Sequence, residues 1–150
     1  MKGKIMINLE LGTLIDRPIK DVFTFVSNPN NMSKWNSAVV SIQQVTPGAV
    51  GVGTKFKTVG EAMGRRLEGE MQVQSFEPDN KCGFQLQAGP MQMNLTMSFK
   101  TVGTGTKLNL DVQGNPAGVF KLAEGLMTGQ VKSLMEGNLT KLKSVLESGA

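Results

Sequence analysis

Twelve carboxylates and a single cysteine are the chemically versatile side chains of this 150-residue chain, and it contains no histidine. Imidazole acid/base work, His-containing zinc sites and His-ligated haem are therefore excluded. Cys82 has no imidazole to activate it, and its alternation with Phe84 and Leu86 turns it inward, as a buried inert thiol. Glu10, Glu68, Glu70 and Asp111 fall at outward-facing strand positions, while Asp16, Asp21 and Asp79 sit at helix starts or turns. None is placed where burial would raise its pKa into a catalytic range. Arg65 is the charged residue whose parity points inward, beside a Met63-Gly64 turn at the end of a sheet. It is either a solvated hairpin arginine or a group at a pocket mouth able to hold a ligand carboxylate or phosphate. Asn138 interrupts an apolar helix stripe and is a satisfied buried amide, an amide turned to the edge, or a ligand contact. Residues 48–54 (GAVGVGT) lack the Gly-Lys-Ser/Thr ending of a phosphate loop, and no helix follows, so they read as a strand connection. No catalytic residue, metal site or bound cofactor is expected from these groups.

Methionine is the unusual component, ten in all. Met71, Met91, Met93 and Met97 share the inward parity, and Met127 and Met135 lie on the helix face that meets them. Flexible, polarizable side chains of this kind adapt to apolar ligands of different shape; the alternative is that they fill an irregular solid core.

The elements that must position these residues follow from periodicity. Ile5, Ile7, Leu9 and Leu11 alternate with more polar neighbours, which predicts a first strand with one buried face. Pro18 opens a short helix with Ile19, Val22, Phe23 and Val26 on one side; Asn28-Pro29 breaks it, and a second helical turn runs to Trp35. Residues 38–112 read as sheet. A turn at Met63-Gly64 sets Phe56 opposite Met71, with Glu61 facing Arg66 and Lys57 facing Glu70. A turn at Gly89-Pro90 places Leu86 against Met93 and Phe84 against Leu95. The loop around residues 77–80 lets Val73 face Phe84, and a four-residue loop at 103–106 lets Phe99 face Leu110. All four hairpins agree on the apolar face, and a slip of one residue in any of them would turn the pattern over. The last segment, 115–147, predicts one long helix with Asn115 as its cap and Pro116 in the first turn. Gly125, Gly129 and Gly137 weaken it by about 1 kcal/mol each relative to alanine, so its stability must come from packing on the sheet.

Size and charge narrow the class further. The length fits one domain spanning residues 1–150 with a single core. The net charge of +4 is spread out, with only Arg65 and Arg66 adjacent, and 5% aromatic residues without tyrosine leave no stacking platform for nucleic acid. One cysteine fits a reducing compartment. The apolar run after Lys4 is too short for a signal peptide, and no window approaches membrane-spanning length, so a cytoplasmic location is expected.

In order along the chain come Arg17-Pro18 with Val22-Phe23, then Asn28-Pro29 through Asn31-Met32 to Trp35-Asn36, and the loop 48–54. Phe76-Glu77-Pro78, the Gly105-Thr106 turn and Leu142-Lys143 to Leu146-Glu147 complete the series. With a β–α–α–meander–α order, the chain resembles the START/Bet v 1-like (SRPBCC) superfamily, in its bacterial polyketide cyclase/dehydrase-like branch. The resemblance implies an α+β helix-grip fold. In it a curved antiparallel sheet of about seven strands wraps a long C-terminal helix, with two short helices between strands 1 and 2. It also implies an apolar cavity between sheet and helix that binds a small hydrophobic molecule such as a lipid, isoprenoid or polyketide. On this sequence the expected lining from the sheet is Phe56, Met71, Phe84, Leu86, Met93, Leu95, Met97 and Leu110. Ala123, Met127 and Val131 come from the helix, and Arg65 is the polar contact. The other readings are a cyclase or dehydratase, which needs a proton-transfer group in the cavity, and an accessory protein-interaction module.

Overall fold

Alternating apolar and polar residues form β1 (Ile7–Ile15), with Ile7 and Ile15 buried and Asn8, Glu10, Gly12 and Leu14 exposed. The structure, a computed structural model, describes residues 7–62, 64–89, 91–115 and 124–149. Pro18 precedes α1 (Ile19–Val26), which buries Val22, Phe23 and Val26. A 3-10 helix (Pro29–Lys34) follows, capped by the Asn28 side chain, which accepts the Asn30 N–H at 3.0 Å. Six further strands run as β2 (Val39–Gln44), β3 (Lys55–Ala62), β4 (Arg65–Glu77), β5 (Lys81–Ala88), β6 (Met91–Val102) and β7 (Gly105–Asn115). The final helix is α2 (Glu124–Glu147). The sheet order is β1-β7-β6-β5-β4-β3-β2, with every pair antiparallel.

The expected registers hold across three hairpins. Phe56 pairs with Met71, Glu61 with Arg66 and Lys57 with Glu70; Val73 pairs with Phe84, Phe84 with Leu95, and Leu86 with Met93. The fourth differs. Phe99 faces Leu108, and Leu110 faces Met97 instead, because Val102 pairs with Gly105 across a two-residue turn. Gly103 takes a φ of 60° at the first turn position, which a two-residue turn of this hand requires and a four-residue loop does not. The shift is by two residues, so the buried face is unchanged. Asn115, expected as a helix cap, is the last residue of β7 and pairs with Gln92, and the described helix begins at Glu124. Pro116 and the residues up to Ala123 lie outside the described residues.

Two ends of the sheet's apolar face are filled differently. Toward the β4–β5 turn, Phe23 of α1 packs edge-on against Phe76 and Phe99, at ring separations of 5.3 and 5.1 Å. Val73, Cys82, Phe84, Met97 and Leu108 complete a solid core there. Each such side chain, fully buried, contributes on the order of 1.5–3 kcal/mol. The second half of α2 is fastened to the start of the chain. Leu142 and Leu146 are fully buried, and Arg17 donates from Nη1 to the Leu146 carbonyl. Lys143 donates to the Leu14 carbonyl at 2.6 Å, and the Asp16 N–H donates to Glu147 Oε2 at 2.8 Å. Thr106 closes the knot by donating to the Arg17 carbonyl at 2.8 Å. The Lys143 bond, and then the Asp16 N–H, hold the Glu147 carboxyl below the ordinary carboxylate range.

Candidate functional site

At the other end of the same face, the inward positions carry small residues. Thr58 and Gly60 on β3, Gly69 on β4 and Ala88 on β5 are neighbours in the ladder, and Ala38 lies beside Gly60. There is no room for larger groups at one of them: a Cβ on Gly69 would lie 2.7 Å from the Ala88 Cβ and 2.6 Å from the Gln87 carbonyl oxygen. Small side chains on the floor and a helix held above it leave a gap. The gap is a partly open cavity of about 130 Å³.

Its sheet wall is Leu67, Met71, Leu86, Met91, Met93 and Leu95, with the small residues Thr58, Gly60 and Ala88 between them. Val131, Leu134 and Met135 of α2 form the roof, and Met32, Asn36, Ala38 and Val39 close the side. The wall is almost entirely apolar. Glu61, an exposed residue at the edge, is the ionisable one among the described residues that line it.

Met71, Leu86, Met93, Leu95 and Val131 line this cavity. Phe56, Phe84, Met97 and Leu110 are buried but do not line the cavity. They share its face of the sheet, Phe56 paired with Met71 and Phe84 with Leu95, and are packed into the core beside the cavity. Strand alternation fixes the face alone. Ala123 lies outside the described residues, as do the side chains of Met127 and Arg65; the Arg65 backbone pairs with Ala62. The residues that sequence reasoning passed over are chiefly Met32, Asn36, Leu67 and Leu134, together with the row of small residues. That row was visible in principle. Three inward positions in register across adjacent strands, Thr58, Gly69 and Ala88, with Gly60 next along β3, are a signal for missing volume.

The polar groups are ordered. Asn138 is 2% exposed and hydrogen-bonded at both polar side-chain atoms: its Oδ1 accepts the Ser37 N–H at 3.0 Å and the Ser37 hydroxyl at 3.2 Å, and its Nδ2 donates to Asn36 Oδ1 at 3.0 Å. Asn36 Oδ1 also accepts the Ala38 N–H at 3.0 Å. Asn138 therefore ties α2 to the segment after the 3-10 helix. Trp35 Nε1 and Gln130 Oε1 are buried without a hydrogen bond among the described residues, and neither residue lines the cavity. Cys82 is buried in the solid core, and burial pushes its thiol up to about 12. Glu10 and Asp111 face each other on the outer side of the sheet, away from the cavity. The glycine loop 48–54 leads directly into β3, with the Gly51 N–H donating to Thr54 Oγ1 at 3.0 Å. No group of three or more metal-ligating side chains occurs among the described residues.

A seven-stranded antiparallel sheet gripping a C-terminal helix, with two short helices between β1 and β2 and an apolar gap under the helix, defines the START/Bet v 1-like class of proteins. The family model for polyketide cyclase/dehydrase and lipid transport proteins matches residues 6–147, and the chain belongs to that family. Protein TTHA0849 from Thermus thermophilus superposes with a TM-score of 0.75 at 20% identity, over 96% of this chain and 100% of that one. Ara h 8.0201 gives 0.72 at 14% identity, over 96% and 99% of the two chains. Protein CV1439 from Chromobacterium violaceum gives 0.70 at 15%, over 93% and 96%. At these identities the likeness is one of fold. No curated protein matches the sequence significantly. No described helix is long and apolar enough to cross a membrane.

Proposed function

We propose that the chain binds a small hydrophobic molecule, lipid-, isoprenoid- or polyketide-like, in the cavity between the sheet and α2. The observation that carries this reading is the apolar gap itself, which exists because small residues occupy the inward positions beneath Val131, Leu134 and Met135. Apolar, concave and bounded by methionines, it suits ligands recognised by shape. The family's description, which includes lipid transport, agrees with it. In the proposal Met127 and Ala123 extend the wall. Arg65, at the β3–β4 hairpin, meets an acidic head group at the mouth. Binding is favoured over cyclase or dehydratase chemistry because the described wall offers Glu61 alone for proton transfer, and the chain has no histidine.

Titration with an environment-sensitive apolar dye tests the reading. Uptake of about one dye per chain at micromolar Kd, or roughly −8 kcal/mol, is expected, with a rise in Tm because only the folded state binds. Leu86→Trp should fill the gap and abolish uptake while the fold survives. If the space were already packed, the same substitution would cost about 1–3 kcal/mol and the wild type would take up no dye. That pair of results overturns the proposal.

A further inference from the structure

We infer that Asn36 is the specificity-determining residue of the cavity, presenting a hydrogen-bond donor that selects ligands with a neutral acceptor oxygen, such as a ketone or ester carbonyl. The inference rests on the binding reading above and adds the ligand's polar chemistry to it.

The orientation of the amide follows from its neighbours. A backbone N–H can only donate, so the atom facing the Ala38 N–H at 3.0 Å must be Asn36 Oδ1. By the same logic the atom facing the Ser37 N–H is Asn138 Oδ1, which leaves Asn138 Nδ2 to donate to Asn36 Oδ1 at 3.0 Å. Asn36 Oδ1 thereby receives two donors and is saturated. Its Nδ2, with two hydrogens, makes no hydrogen bond to any described residue. Yet Asn36 is only 8% exposed and lines the cavity. The Nδ2 atom keeps accessible surface, so water can accept from it before a ligand binds, and a ligand that displaces that water without bringing an acceptor leaves the donor unpaired. The surroundings decide what that acceptor is. Every other side chain on the described wall is apolar except Thr58 and the edge residue Glu61. With no described cation beside Asn36, a buried carboxylate would go unneutralised there, whereas a carbonyl oxygen needs one neutral donor and no counter-charge. The partner is a hydrophobic molecule bearing a neutral oxygen within reach of Asn36.

Asn36→Asp keeps Oδ1 for Ala38 and Asn138 but replaces the donor with an acceptor. The two N–H groups it accepts from favour its ionised form. Binding of 2-undecanone and of undecane, matched in length, is read by displacement of the apolar dye. The substitution should weaken 2-undecanone roughly five- to tenfold, the value of one neutral hydrogen bond, and leave undecane within about twofold. In wild-type protein the Asn36 side-chain NH2 signals, assigned by through-bond correlation to the Asn36 backbone, should shift with 2-undecanone and stay in place with undecane. Equal weakening of both compounds, or NH2 signals unmoved while the ketone is bound, would overturn the role of Asn36 and leave the cavity reading standing. If the variant does not fold, the wild-type signals alone decide. Failure of the wild type to take up either compound overturns both proposals.

Discussion

Cys82 shows how completely one residue's chemistry is set by its surroundings. Buried in the solid core, its thiol is raised to about 12, so the reactive thiolate is absent at neutral pH. A disulfide reagent should label no thiol in the native protein and one per chain in 6 M guanidinium. Rapid labelling without denaturant would show that the core opens. The sign of the linkage follows. The unfolded thiol loses its proton near 8.5 and the folded one only near 12, so stability is full below pH 8.5 and falls as pH rises between the two. The inward position of Cys82 was legible from its alternation with Phe84 and Leu86. Asn138 was legible only as an interruption, with three open readings, and in the structure both its polar side-chain atoms are hydrogen-bonded within the fold. Asn36 was not legible as a site residue. Its meaning depends on a partner 102 positions away and on a short irregular segment without periodicity.

Among the elements, α2 carries an avoidable weakness. Gly129 and Gly137 are exposed, and no described atom lies within 4 Å of where a Cβ would stand. Each glycine costs the helix backbone entropy without a contact in return. Gly129→Ala and Gly137→Ala should each stabilise the protein by roughly 0.5–1 kcal/mol, seen as a higher urea midpoint at unchanged m-value. A lower midpoint would mean that the glycine conformation is needed in the native helix. The strands were the most legible elements, because turn glycines and a period of two specify face and register together. Where register went astray, at Phe99 and Leu108, the error was a turn of the wrong length at Gly103, and even parity hid it from the hydrophobic pattern. Parity likewise could not say that Phe84 and Met97 stand over the solid end of the sheet while Leu86 and Met93 stand over the hollow one.

At the scale of the molecule, the sheet order has a consequence in time. Strands β2 to β7 each pair with the next in sequence, but β1 pairs with β7, Ile15 meeting Thr106 and Ile7 meeting Gly114. Pairing β1 from the unfolded chain would close a loop of about ninety residues, an entropy cost that grows by about 0.6 kcal/mol with each doubling of length. Once the meander from β3 to β7 exists, β7 offers a finished edge at no such cost. Made before the other six strands, β1 therefore has no partner until β7 has been made. It stays extended, exposing the alternating Ile7, Leu9 and Leu11, during the interval in which the meander assembles. The tie between Arg17, Thr106 and Leu146 closes after it. In pulsed hydrogen exchange during refolding from urea, amides of β4 to β6 should gain protection before those of β1. Protection of β1 ahead of the meander would sink this order. If the order holds, the slow step of folding belongs to the docking of a single edge, and substitutions at Leu9 or Leu11 will retard refolding less than they hasten unfolding.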